Sequence, residues 1–291
     1  MEKRKKITHK ILLAALICTA VGAVFLLIGM ILGGNPGIYI DRTGIHSVNE
    51  VLKRDGEEGG YQTLGKKKLD KFSTISMNVD YGDIQILPSD DKHCYLEYCL
   101  SENKSDISYQ VKDDTFTFKS KMGLNGGRMY ITSFDFSGLW RKDIPEKTEI
   151  VKLYIPRDAE FQDIKLVAEC GDISLQNLTA EGLELQTDYG DVNIEEFRCK
   201  DSRFDLESGD VSIESADLGD CQIESDYGNV ELNLTQKVEA YSYDLETDYG
   251  EIKIPGVSIS GQDGQNYRST GGDEGKIKVS CDSGDIVIEN K

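Results

Sequence analysis

Histidine is nearly absent from this 291-residue chain: there are three, and only His46 and His93 fall beyond its hydrophobic N-terminal run. That scarcity removes most imidazole acid–base chemistry. His93 is followed directly by Cys94, and neighbouring residues on a strand point to opposite faces, so the two cannot act as a dyad. No Cys-x-x-Cys occurs among the seven cysteines, which argues against zinc. Positive charge is also scarce. The net charge is −19, and the residues after Gly34 carry 28 basic against 51 acidic side chains, a net of −23. Such a field repels nucleic acid and anionic lipid and concentrates cations or basic partners, so no nucleic-acid role is expected. Beyond residue 40 no segment keeps a long helical period, which disfavours leucine-rich horseshoes and helical repeats.

The uncharged stretch that is present, Ile11 to Leu32, would span about 33 Å as a helix, enough for a hydrocarbon core of about 30 Å. A cleaved signal peptide would end in a small-x-small site, and Leu32-Gly33-Gly34 fits that poorly. A lipoprotein reading at Cys18 meets a bulky Ile17. The expectation is therefore an uncleaved single-pass anchor, residues 11–33. The basic cluster Lys3, Arg4, Lys5 and Lys6 would hold residues 1–10 in the cytoplasm and place the remainder outside the cell.

What the rest contains most of is one repeat. Taking its glycine as reference, Gly171, Gly190, Gly209 and Gly228 follow at 19-residue steps, Gly250 after 22 more and Gly284 after another 34, with Gly82 an isolated earlier copy. Apolar residues stand two and four positions after each glycine (Ile173/Leu175, Val192/Ile194, Val211/Ile213, Val230/Leu232, Ile252/Ile254, Ile286/Ile288). Others stand five before it (Leu166, Leu185, Phe204, Ile223, Leu245, Val279). Both stretches alternate with period two, as half-buried strands do. The step between them is odd, so the alternation slips at the motif, and glycine tolerates the positive φ of such a corner. A unit of two strands and two turns cannot bury its own apolar face, whereas units stacked about 4.8 Å apart can. The fold class expected is all-β: a β-solenoid, parallel β-helix-like, of 19-residue coils over 148–291, preceded by one transmembrane α-helix. An antiparallel sandwich is the competing architecture.

Residues 151–194, "VKLYIPRDAEFQDIKLVAECGDISLQNLTAEGLELQTDYGDVNI", resemble a bacterial adhesin-like β-strand-repeat domain of unknown function. In that family a strand ending in Ile-Pro precedes coils punctuated by small-Gly-Asp-Ile/Val. The resemblance covers roughly 70–290 and implies the solenoid; a single N-terminal membrane helix is common among its members. It supplies no catalytic residues. Tyr81, Tyr189, Tyr227 and Tyr249 depart from it, standing before the glycine where the family more often has a small residue.

Residues 34–70 read as a juxtamembrane stalk, with a short helix over Gly44–Lys53, and 71–147 as first strands or a cap. The segment 123–145 breaks the repeat and gathers Arg128, Tyr130, Phe134, Phe136, Trp140 and Arg141, aromatic and arginine residues of the kind that anchor binding sites. A flap covering the solenoid is the plainer alternative. The acidic pairs around each glycine include Asp188/Asp191, Glu207/Asp210 and Asp226/Asn229. Turn chemistry explains them first, since Asp bonds nearby backbone N–H groups. No cofactor is expected, but calcium is possible, with Asp188, Asp191, Glu207, Asp210 and Asp226 as its ligands. The Gly-Gly-x-Gly-x-Asp calcium nonapeptide is absent. The tyrosines are expected to pack at the corner, the alternative being an exposed ladder. The six cysteines beyond the anchor, an even count that permits disulfides without fixing their connectivity, are expected first to be small buried hydrophobes. These features point to a non-catalytic membrane-anchored protein that adheres to a cell-wall polymer or scaffolds another envelope protein. A polysaccharide-active β-helix enzyme is the rival of another class.

Overall fold

The computed structural model describes residues 38–41, 44–47, 61–101, 105–122, 129–131, 149–260 and 264–291. The membrane anchor expected over 11–33 lies outside them. Among the described residues no helix is long and apolar enough to cross a membrane. The chain divides into two units, one drawn from residues 1–60 and 124–146, the other from 61–123 and 147–291.

The first unit is described by an antiparallel three-stranded sheet. Ile38–Asp41 lies between Gly44–Ser47 and Met129–Ile131. Gly44–Ser47 is thus a strand where a helix over Gly44–Lys53 was expected. Its alternation is too short to settle the period, and pairing with Ile38–Asp41 satisfies its backbone polar groups.

The second unit is all-β and is built as a solenoid. Two parallel ladders run its length, each eight strands deep. In stacking order the first comprises Thr115–Met122, Thr74–Tyr81, Glu160–Cys170, Leu178–Tyr189, Phe197–Ser208, the second half of Val211–Tyr227, Gly275–Ser283 and Tyr241–Tyr249. The second ladder, in matching order, comprises Ile150–Ile155, Asp83–Pro88, Ile173–Leu175, Val192–Ile194, the start of Val211–Tyr227, Val230–Leu234, Ile286–Asn290 and Glu251–Ile254. We number these layers 1 to 8. Between layers 3 and 6 the register is the 19-residue repeat itself: Leu166 faces Leu185, then Phe204, then Ile223.

The core lies between the ladders. Every apolar residue that the repeat singles out, before or after the glycine, is buried there. Burying each such side chain favours folding by about 1.5–3 kcal/mol, gained only when a neighbouring layer closes over it.

The order of layers is not the order of the chain. Layer 7 is the C-terminal segment, and it enters between layer 6 (Ala216 to Leu234) and layer 8 (Tyr241 to Ile254). The 22- and 34-residue spacings, where 19 would continue the repeat, record this detour. Between layers 8 and 7 the chain forms Val257–Ser260, antiparallel to Glu251–Ile254, and Gln265–Ser269, antiparallel to Tyr241–Tyr249. These strands cover the edges of layer 8. The other end is built alike: layer 1 is made after layer 2, Ser105–Lys112 and Tyr95–Ser101 pair antiparallel with its two strands, and Tyr61–Lys68 pairs antiparallel with Tyr95–Ser101 in turn. Tyr61–Lys68, assigned to the stalk from sequence, is therefore a strand of this unit. Antiparallel covering satisfies N–H and C=O groups that an open parallel edge would offer to another chain.

Candidate functional site

The corner between the two ladders is where the repeat concentrates its polar residues. The structure brings the motif glycines into one column, in the order Gly82, Gly171, Gly190, Gly209, Gly228, Gly284, Gly250. A Cβ added at Gly190 would stand less than 3.0 Å from the carbonyl oxygen of Gly171, and each later member of the column meets the carbonyl before it in the same way. At Gly190 the backbone also has φ of +148°, a region that L side chains rarely adopt. Gly250 and Gly284 are held to glycine by the close approach alone. The sequence reading found these residues but gave only the conformational reason.

The residue after each glycine forms a second column. The Asp191 N–H donates to Oδ1 of Asp172 at 2.9 Å, the Asp210 N–H to Oδ1 of Asp191 at 2.9 Å, and the Asn229 N–H to Oδ1 of Asp210 at 2.7 Å. The chain of bonds continues in layer order, from the Asp285 N–H to Asn229 Oδ1 and from the Glu251 N–H to Asp285 Oδ1, each 2.9 Å. Asn229 carries no charge yet serves equally as acceptor, so these side chains act as backbone caps. This is turn chemistry extended from layer to layer. Of the calcium ligands considered above, Asp191 and Asp210 thus have one oxygen committed. Among the described residues no three His, Cys, Asp or Glu side chains are placed to hold a metal ion.

Two residues before the glycine stands a third column, Asp80, Glu169, Asp188, Glu207, Asp226, Asp282 and Asp248, acidic in all of layers 2 to 8. Partial burial, then the charges of Asp80 and Asp188, raise the Glu169 carboxyl above its ordinary value, against the opposing Lys121. Burial chiefly, and the Asp172 charge, raise Asp83, while the hydrogen bond from the Asp172 N–H opposes them. Other acidic residues on the same ladder are neutralised across layers, as Glu184 is by Lys165 at 2.7 Å and Glu224 by Arg203 at 3.0 Å. Among the described residues Asp188, Glu207, Asp226, Asp282 and Asp248 find no such ion-pair partner. Neither Glu169 nor Asp83 lines either of two grooves among the described residues, one running past Glu160, Asp163, Glu181 and Asp201 and the other past Asp220, Asp244 and Arg268. Both grooves are open to solvent.

The position immediately before the glycine holds the residues that the sequence underrated. In layer order it reads Tyr81, Cys170, Tyr189, Ser208, Tyr227, Ser283, Tyr249. Aromatic and small residues alternate without a break. In chain order the alternation fails, because Tyr249 precedes Ser283, so the pattern appears only once layer 7 is placed. The expectation that these tyrosines pack at the corner is overturned for three of them: Tyr189, Tyr227 and Tyr249 are 60%, 66% and 73% exposed. The phase slip explains this. Thr187 points inward, and both Asp188 and Tyr189 then face out, so the ring has no apolar edge beneath it.

Tyr130 lies on Met129–Ile131, opposite Tyr39, and Arg128, Phe134, Phe136, Trp140 and Arg141 lie outside the described residues. All six described cysteines are free thiols, with Cys199, Cys221 and Cys281 buried. Burial pushes Cys199 up to about 11 and Cys221 and Cys281 up to about 12, which leaves them inert.

The family model described as Toastrack DUF4097 matches residues 72–233 and again 216–289. No curated protein matches the chain. Among solved structures, similar ones include a "putative cell adhesion protein" from Clostridium sporogenes, 14% identical, covering 80% of this chain and 98% of its own with a TM-score of 0.41. Another is a "putative adhesin" from Bacteroides fragilis, 17% identical, covering 80% and 97% with a TM-score of 0.36. A "putative lipid binding protein" from Parabacteroides distasonis is 14% identical and covers 79% and 97% with a TM-score of 0.31. At these TM-scores nothing of the neighbours' roles transfers to this chain.

Proposed function

The chain belongs to the Toastrack DUF4097 family, and from that premise we propose that it is a non-catalytic binding module of the cell envelope. In this reading residues 11–33 anchor it in the cell membrane as a single pass, residues 1–10 lie in the cytoplasm, and the solenoid stands outside as an adhesive or scaffolding surface toward wall polymer or another envelope protein. The observation that carries it is the corner. Its recurring carboxylates are committed to capping backbone N–H groups or repeat evenly along the stack, whereas a hydrolase gathers two carboxylates at one place.

The experiment is retention of the detergent-solubilised full chain on isolated cell walls, with the released sugars measured alongside. Retention without release of reducing ends is expected. Release of reducing ends would establish an enzyme, and loss of retention on every wall fraction would remove the adhesive reading. Cleavage of the solenoid by protease added to intact cells is the expected result for the topology.

A further inference from the structure

Deepening the binding reading and resting on it, we infer that the column Tyr189, Tyr227 and Tyr249, with the carboxylates of Asp188, Asp226 and Asp248 beside it, is a docking ridge for an extended basic polypeptide segment bearing Arg or Lys at every third residue. Three observations carry it together. Of the four large hydrophobic residues that are exposed among the described residues, three lie in this one column. A soluble surface ordinarily scatters such residues singly.

The second observation is charge. Among the described residues the bordering carboxylates have no ion-pair partner, although the solenoid supplies cations to acidic residues elsewhere on the same ladder. A row of like charges one layer apart is unfavourable in every adjacent pair. A cationic ligand relieves that repulsion, and a neutral glycan does not. The third is pitch. Tyrosines two layers apart stand about 9.6 Å from each other, twice the strand spacing. An extended polyproline-II chain advances about 3.1 Å per residue and repeats every three, so its equivalent side chains recur at about 9.3 Å. Ser208 and Ser283 stand between the rings and leave room there. Each guanidinium or ammonium can then lie on a tyrosine face with a carboxylate at its side.

The full chain in detergent is titrated by fluorescence anisotropy with a labelled (Arg-Pro-Pro)4 peptide. Comparators are a peptide of equal charge with arginine at every fifth residue, its glutamate counterpart, and oligomers of a neutral and of a cationic β-linked glycan. The three-residue peptide is expected to bind about tenfold tighter than the five-residue one, and salt is expected to weaken binding. Tyr227→Ser should weaken it about fivefold; serine already stands at this position in the adjoining layers, so the fold accepts it. Asp226→Asn should weaken it too, and Glu239→Gln, an equal charge change elsewhere, should not. A deletion pair gives an independent readout. Removing 191–209 in a Tyr249→Ser background leaves Tyr189 and Tyr227 on adjacent layers and should abolish the spacing preference, whereas removing 191–228 alone leaves Tyr189 and Tyr249 two layers apart and should retain it.

Equal affinity for both spacings, indifference to Tyr227→Ser, or tighter binding of either glycan overturns the ridge. If the peptides fail while wall retention persists, the ridge alone falls. If retention fails as well, the binding reading falls with it.

Discussion

Replacing glycine by alanine separates two forces at the corner, because the chain holds glycines that experience each force alone, both or neither. Gly65 has no atom within 4 Å of an added Cβ and no unusual φ. Gly256 has equally open space but φ of +80°. At Gly284 the obstacle is the Gly228 carbonyl alone, and Gly190 combines its φ of +148° with the Gly171 carbonyl. Gly65→Ala should be within about 0.5 kcal/mol of the parent, since alanine restricts the unfolded chain slightly. Gly256→Ala should cost about 1–2 kcal/mol for the backbone conformation. At Gly190 the same conformational cost is joined by displacement of the neighbouring layer. Relief requires a shift of roughly 1 Å, which stretches the bond from the Gly171 N–H to Tyr189 O and that from the Asp191 N–H to Asp172 Oδ1. At about 1 kcal/mol for each hydrogen bond, Gly190→Ala should cost about 3–5 kcal/mol, a large share of a typical stability. Urea unfolding followed by circular dichroism measures all four variants. A Gly190→Ala protein no less stable than Gly256→Ala would refute the close-packed carbonyl column.

Asp191→Ala removes the acceptor for the Asp210 N–H and should cost about 1–2 kcal/mol by the same assay, while Asp191→Asn, which copies Asn229, should be near neutral. Glu169 has a folded-state value above its ordinary one, so the folded form holds the proton more tightly. Ionisation as pH rises past that value costs stability, and acidification back through the window restores it. Glu169→Gln should therefore raise the melting temperature at pH 7 and low salt, a small effect for so exposed a group and one that shrinks in 1 M salt. A melting-temperature series against pH and salt checks both the sign and the screening. Truncation after residue 264 removes layer 7, the sole parallel neighbour of layer 8, and hydrogen exchange should then report loss of protection over 241–254 as well as at the new terminus. In native protein, iodoacetamide at pH 8 should leave Cys199, Cys221 and Cys281 unmodified, and their labelling by mass spectrometry should appear only on unfolding.

The sequence carried the repeat because layers stacked in register demand the same chemistry at the same step. Leu166, Leu185, Phe204 and Ile223 must fill one row of the core, and Gly171, Gly190, Gly209 and Gly228 must admit one column of carbonyls. What it could not carry was the placing of layer 7. Ile286 and Ile288 satisfy the repeat equally well beside Val230 and Leu232 or beyond Ile252 and Ile254. Only three-dimensional closure decides, with antiparallel strands over layer 8 leaving its other edge to the C-terminal segment. The exposed tyrosines were misjudged for a related reason. A phase slip was legible at the motif, but whether the extra residue turned in or out was not.

The out-of-order ends also bear on how such a chain emerges from a pore. If the solenoid emerges from residue 61 onward, layer 3 can dock on layer 2 and layers 4 to 6 can follow as each appears. Layer 8 then comes out before the segment that joins it to layer 6, and its edges toward that segment stay unmatched until residues 275–290 arrive. Closure of this end of the stack thus waits on residues 275–290: a chain arrested before them leaves layer 8 undocked and open to proteolysis.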